Sequence, residues 1–146
     1  SRFPLTTVLT PHPGEMAELT GLSVSEIQSA RWEVVKHFAL KWNKIILLKG
    51  AISVVANPEG KIGIIPVATS ALSTAGTGDV LSGLIAGLCA QGNDPYQAAL
   101  IGGYIHAKAG TMLETKYGQT YSVTASEVLA AIPSVFSQLK ITGNQI

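Results

Sequence analysis

A glycine-rich loop that leads directly into an apolar helix is the feature of this sequence that most constrains its fold. Residues 73–83 read STAGTGDVLSG, and apolar or small residues continue to position 90. Glycines let the backbone turn its N–H groups outward, and the first helical turn adds unpaired N–H groups and the positive end of the helix dipole. The sequence therefore predicts an anion site, most simply for phosphate, where the loop meets the helix.

Asp79 lies at this junction and is an acid at a place that attracts anions. One explanation is chemical: the carboxylate accepts a proton from a hydroxyl group beside the phosphate. The plain alternative is a helix-capping acid, which stabilises a helix by roughly 0.5–2 kcal/mol. The loop is not a P-loop, because no Gly-Lys-Ser/Thr sequence follows it.

The order of predicted elements is typical of an α/β protein. A short β-branched run at residues 6–10 and an apolar run at 44–49 predict strands, the second buried on both faces as in a parallel sheet. Residues 52–56 and 61–65 predict a hairpin around an Asn-Pro-Glu-Gly turn. Helices are predicted at 15–19, from the Ser23–Glu26 capping box to residue 42, and at 95–114. Residues 78–91 predict a central helix that is apolar nearly all round. A last helix should begin after the Thr124–Glu127 capping box, and Pro133 should kink or break it.

Composition limits the function classes. The chain has 146 residues, of which 13% are charged, and a formal net charge of +1. This balance provides no electrostatic footprint for nucleic acid or an anionic membrane, and the low charged share suggests a large covered surface and a homo-oligomer. The single cysteine excludes an internal disulfide and a cysteine-based zinc site. No signal-peptide core or membrane span is visible, so we expect a cytoplasmic protein.

Four segments together resemble the ADP- or ATP-dependent NAD(P)H-hydrate dehydratases, metabolite-repair enzymes of the ribokinase-like superfamily. They are LTPHPGE at 9–15, LLKG at 47–50, the loop at 73–83 and GYIHAKAG at 103–110. The resemblance implies a ribokinase-like α/β fold with a central, mostly parallel sheet flanked by helices. Because the family domain is about twice this long, residues 1–146 would form its carboxy-terminal half, a partial domain.

The resemblance also assigns site residues. Asp79 would be the catalytic base and a substrate contact, and His12 would bind the hydrated nicotinamide nucleotide. The amides of Ala75, Gly76, Thr77 and Gly78 would form the anion hole. The adenine nucleotide would bind to Lys49, Gly50, Ala51, Ile52, Ser53 and Gly78. For His106 and Glu15 we favour structural roles, in helix packing and in capping.

The implied activity is the dehydration of hydrated NADH or NADPH, by phosphorylation from ADP or ATP and elimination of phosphate. Mg²⁺ should accompany the nucleotide, and no metal-ligand cluster is visible in the sequence. A second chain or segment would supply the amino-terminal half. Two alternatives stay open at this point: a ribokinase-like kinase for a vitamin precursor or sugar alcohol, and a non-catalytic nucleotide-binding fragment.

Overall fold

The structure is a computed structural model that describes residue 4, residues 7–118 and residues 123–143, with side chains to residue 139. In this part of the chain, three helices follow the first strand, and three more follow the other three strands. In chain order they are β1 (Val8–Leu9), α1 (Pro13–Thr20), α2 (Val24–Ser29), α3 (Arg31–Trp42), β2 (Ile45–Leu48), β3 (Ser53–Ala56), β4 (Ile62–Ile65), a 3₁₀ turn (Ala71–Ser73), α4 (Thr77–Ala90), α5 (Pro95–Tyr117) and α6 (Ala125–Gly143).

The described strands form one mixed sheet in the order β1-β2-β3-β4. β1 and β2 are parallel, with Val8 opposite Ile45, whereas β2–β3 and β3–β4 are antiparallel. The hairpin predicted for β3 and β4 is confirmed. The expected mostly parallel pairing holds only for β1 and β2 among these strands, because short turns return the chain from β2 to β3 and from β3 to β4 and so force antiparallel neighbours.

Successive residues of β2 enter two different cores, which confirms the prediction that both faces of this strand are buried. Ile46 and Leu48 face α1–α3, in a cluster with Met16, Ile27 and Val35. Ile45 and Leu47 face α4 and α5 on the other side of the sheet. Helices therefore cover both faces, as the alternation of side chains along a strand requires.

The helix predicted from the Ser23–Glu26 capping box is confirmed at its start but not along its length. It is divided at Ala30, whose φ of −137° and ψ of 48° are not helical, into α2 and α3. An apolar pattern at helical spacing continues across the break, so periodicity alone predicted a single helix. The break makes Arg31 the first residue of α3.

The predictions for two of the carboxy-terminal helices hold only in part. α4 buries only one face, through residues such as Leu81 and Ile85, and Gly83 and Gly87 are exposed. The prediction of a helix apolar all round was wrong because the exposed face carries small residues, which do not read as polar in the sequence. Pro133 does not break α6. Its ring and Leu129 are exposed, so water can satisfy the carbonyl that loses its N–H donor.

Small residues bring α5 close to its neighbours, as the sequence indicated. A Cβ on Gly102 would lie 2.9 Å from Cγ1 of Ile85 in α4, and a Cβ on Gly103 would overlap Ile65 of β4. This close approach places His106, one helical turn later, under the start of α4. None of the described helices has the length and apolar character needed to cross a membrane.

Candidate active site

A cleft of about 1030 Å³ lies between the ends of β1 and β2 and the start of α4. It brings together predicted site residues that are far apart in the sequence. His12, Lys49, Gly50, Ala51, Ser53, Ala75, Gly76, Thr77, Gly78 and Asp79 all line it. Ile52 does not: its side chain is 46% exposed and its carbonyl accepts a hydrogen bond from Arg31.

The glycine loop reverses direction at Gly76, which precedes α4 with a φ of 85°. This left-handed conformation favours glycine, and a Cβ here would also lie 3.1 Å from Cβ of Ala125. The Thr77 side chain holds the loop by hydrogen bonds to its backbone. This side chain is buried, and its Oγ1 donates to the carbonyl oxygens of Leu72 at 2.6 Å and Thr74 at 2.8 Å.

The start of α4 is open toward the cleft. No side chain caps this helix, and among hydrogen bonds between described residues none uses the N–H groups of Ala75, Gly76 or Gly78. The Thr77 N–H, also predicted for the anion hole, points to the Thr74 carbonyl at 3.3 Å. Unpaired donors at a helix N-terminus are an anion-binding arrangement.

Asp79 lies in the first turn of α4, exposed to the cleft. Ser82, one turn later, donates to the Gly78 carbonyl at 3.0 Å and lies 3.4 Å from the Thr10 hydroxyl, which joins this turn to the end of β1. The Asp79 carboxylate thus lies on a helical turn beside the open N–H groups. A group that accepts a proton next to a bound phosphate requires this position.

His106 supports this turn from α5. The ring is buried, and Nε2 lies 2.8 Å from the Thr77 carbonyl oxygen, so Nε2–H is the donor. Burial lowers the pKa of His106 to about 4; the hydrogen bond to Thr77 opposes this shift and the charge of Lys49 adds to it. His106 is therefore neutral at pH 7, as a histidine with a structural role should be.

Lys49 supplies the positive charge of the cleft near α4. A Cβ on Gly78 would lie 3.3 Å from Lys49 Nζ, so the ammonium group sits directly over the first turn of the helix. The same Nζ lies 3.5 Å from Oε2 of Glu15. Burial alone would raise the pKa of Glu15, but the hydrogen bond from the His12 N–H and the charges of Lys49 and His12 lower it overall.

His12 is held by the start of α1. Its Nδ1 accepts the Glu15 N–H at 3.1 Å, and the His12 N–H donates to Glu15 Oε2 at 2.6 Å, a reciprocal capping box. With Nδ1 as acceptor, the neutral ring carries its proton on Nε2, which lies 3.5 Å from Oε1 of Glu15. Glu15 thus has the capping role predicted for it and contacts two site residues as well.

Two residues of the site gave no usable sequence signal. Arg31 reaches the turn after β2, where its Nη2 contacts three carbonyl oxygens. Glu114 of α5 accepts hydrogen bonds from the Thr69 hydroxyl at 2.6 Å and the Ser70 and Ala71 N–H groups, and so ties the segment that leads into the glycine loop to α5. Both act across long sequence separations, which no local motif records.

Comparison with known proteins places this geometry in a family. The family model for NAD(P)H-hydrate dehydratase matches residues 1–134. The chain is 44% identical over 133 residues to the bifunctional NAD(P)H-hydrate repair enzyme Nnr of Moorella thermoacetica, covering 91% of this chain and 25% of that protein.

Solved structures agree. The ADP/ATP-dependent NAD(P)H-hydrate dehydratase from Bacillus subtilis, co-crystallised with ATP and Mg²⁺, matches with a TM-score of 0.84 and 36% identity over 90% of this chain and 47% of that one. A ribokinase-like superfamily protein from Enterococcus faecalis shares the fold, with a TM-score of 0.72, 24% identity, and coverage of 94% of this chain and 46% of its own. The expected ribokinase-like fold is confirmed, and the chain spans about half the length of these solved chains.

Proposed function

The chain belongs to the NAD(P)H-hydrate dehydratase family, and on that premise we propose that it provides the nucleotide site and the catalytic base for ADP- or ATP-dependent dehydration of hydrated NADH or NADPH. The observation that carries the proposal is the set of groups gathered at the first turn of α4. Asp79, the open N–H groups of the preceding loop and the Lys49 ammonium all meet at the start of α4.

The first chemical step is phosphoryl transfer. Asp79 accepts the proton of the hydroxyl group on the hydrated nicotinamide ring as that oxygen attacks the terminal phosphorus of the nucleotide. The bond from this phosphorus to the bridging oxygen breaks, and ADP leaves as AMP or ATP as ADP. The N–H groups of Ala75, Gly76 and Gly78, with Lys49, stabilise the negative charge on the transferred group.

The second step is elimination. The ring carbon that carried the hydroxyl now carries a phosphate ester, and phosphate is a much better leaving group than hydroxide. Loss of phosphate and of a proton from the neighbouring ring carbon restores the double bond of the reduced nicotinamide. No net oxidation occurs, and the products are NADH or NADPH, inorganic phosphate and the shortened nucleotide.

Mg²⁺ fits this site mainly as a companion of the nucleotide. Among the described residues, no group of three or more His, Cys, Asp or Glu side chains could hold a metal ion. The carboxylates of the cleft have separate partners: Glu15 is paired with Lys49 and Glu114 is bonded to residues 69–71, which leaves Asp79. Phosphate oxygens and water would supply most ligands, and the ion would neutralise phosphate charge.

The nicotinamide part of the substrate would bind near His12, which lines the cleft and carries its ring proton on Nε2, 3.5 Å from Oε1 of Glu15. Because the solved chains are about twice as long as the matched region, a segment equivalent to their remaining half would complete this part of the cleft, on the same or a second chain. Assembly with that segment, homo-oligomer formation and a cytoplasmic location are parts of the proposal.

Turnover tests the proposal directly. The protein, complemented with the remaining segment, is incubated with hydrated NADH and MgADP or MgATP, and the near-ultraviolet absorbance of the reduced nicotinamide is followed. Recovery of this absorbance with stoichiometric phosphate release is expected. The kinase alternative, which the names of the relatives do not favour, would instead yield a stable phosphorylated product by mass spectrometry, and that result would overturn the proposal.

A further inference from the structure

The guanidinium group of Arg31 contacts several carbonyl oxygens around the turn that joins β2 to β3. Its Nη2 lies 3.3 Å from the oxygen of Leu48, 3.1 Å from that of Lys49 and 3.0 Å from that of Ile52. Nη1 donates to Oε1 of Gln28 at 2.6 Å, which fixes the plane of the guanidinium. One side chain from α3 therefore sets the orientation of several peptide planes in the segment predicted to bind the nucleotide.

The geometry of these contacts fixes where two N–H groups point. Along a regular strand, successive carbonyl groups point to alternate sides, yet those of Leu48 and Lys49 both face Arg31. The described residues contain no cis peptide bond. In a trans peptide the N–H points opposite to the C=O, so the N–H groups of Lys49 and Gly50 both point away from Arg31.

The opposite side is the side of the cleft. The Lys49 N–H donates at 2.9 Å to the carbonyl of Pro11, which immediately precedes the cleft residue His12. The Gly50 N–H points the same way from a residue that lines the cleft, and among hydrogen bonds between described residues none uses it. Because the Lys49 N–H is occupied by Pro11, the Gly50 N–H is the open donor that these two peptide planes direct to the cleft.

Gly50 is part of the same arrangement. A Cβ at this position would lie 2.6 Å from Nη2 and 3.0 Å from Cζ of Arg31. A side chain here would push the guanidinium off the carbonyl groups, so the glycine is needed for the approach of Arg31.

We propose that Arg31 is a positioning residue that turns the Gly50 N–H into the cleft, where it donates to an acceptor of the bound adenine nucleotide. This inference rests on the proposed function, since it assumes that a nucleotide occupies the cleft. Arg31 itself touches no ligand; it acts through the backbone of Lys49 and Gly50.

The test is a titration of the ¹⁵N-glycine-labelled protein with MgADP, followed by NMR at the assigned amides of Gly50 and Gly78. Both amide protons should shift downfield. In Arg31→Met the Gly50 shift should be lost while the Gly78 shift persists, and the Kd for MgADP should rise about tenfold, as for one lost hydrogen bond to a charged group. Lys36→Met removes an exposed cation from the same helix and should change neither shift.

The outcomes separate the two proposals. A shift at Gly78 without one at Gly50 in the unaltered protein overturns the role of Arg31 and leaves the nucleotide site in place. No shift at either glycine overturns both. Retention of the Gly50 shift in Arg31→Met also overturns the role of Arg31. If Arg31→Met does not fold, Arg31→Lys takes its place: the shorter side chain keeps the charge but not the guanidinium contacts, so the Gly50 shift should again be lost, and its retention would overturn the role of Arg31.

Discussion

The Nζ atom of Lys49 lies 3.5 Å from Oε2 of Glu15. The same Nζ atom lies over the first turn of α4. The ammonium group that would meet an incoming phosphate is therefore already shared with a carboxylate. Glu15 is about half exposed, so the pair is weakly held and can be displaced by a more highly charged anion.

Removing the charge of Glu15 should strengthen nucleotide binding. In Glu15→Gln the side-chain oxygen can still accept from the His12 N–H, but it no longer competes for Lys49. We expect the Kd for MgADP, measured by calorimetry, to fall about two- to fivefold at low salt, the range of a partly exposed ion pair, and the difference to shrink as salt is added. Glu18→Gln, an exposed carboxylate on the same helix, is the control. Weaker binding by Glu15→Gln would show that Glu15 helps to hold the ligand.

Burial of His106 should make the protein sensitive to mild acid. Burial lowers its pKa from 6.5 to about 4, so the unfolded chain binds a proton that the folded protein excludes. The stabilisation is complete above pH 6.5 and is lost as pH falls toward 4, by about 3 kcal/mol in the free energy of unfolding.

Urea unfolding of His106→Gln across this pH range should show a shallower fall in stability than the unaltered protein. The comparison isolates His106 from Lys49, which faces it, and from carboxylates such as Asp79 and Glu15, because both proteins share these groups. His37→Gln removes an exposed histidine and should keep the original slope. Equal slopes for the His106 variant and the unaltered protein would contradict the burial of a neutral ring.

A second acid-sensitive point lies at the start of α6. The hydrogen bond from the Tyr117 hydroxyl, and then those from Thr124, lower the pKa of Glu127 from 4.5 to about 2. The stabilisation is present above pH 4.5 and is lost as pH falls toward 2. Tyr117→Phe should therefore destabilise the protein more at pH 6 than at pH 3, measured by urea unfolding. Tyr104→Phe serves as the control, and a pH-independent effect of Tyr117→Phe would argue against this hydrogen bond.

Local chemistry in the sequence predicted most of the fold. The Ser23–Glu26 and Thr124–Glu127 capping boxes, Asp94 at the start of α5 and the hairpin turn all appear where their residue types require. These signals depend on neighbours within a few residues, which a sequence shows directly.

What the sequence did not reveal depends on contacts between distant segments. Arg31 lies at the break between two helices that share one apolar pattern, and the carbonyl groups that it contacts are 17 to 21 residues away. Glu114 holds backbone N–H groups more than 40 residues distant. Neither contact leaves a local motif, because a carbonyl or an N–H group can come from any residue type.

The most direct test of the account is the turnover of hydrated NADH with MgADP or MgATP by the complemented protein carrying Asp79→Asn. Asparagine keeps the size of the side chain but cannot accept the hydroxyl proton. We expect the rate to fall by about 10²- to 10⁴-fold, while the Kd for the nucleotide stays within a few fold, and Asp94→Asn, at the start of α5, to retain full activity. Undiminished turnover by Asp79→Asn would contradict the central claim that this carboxylate is the base.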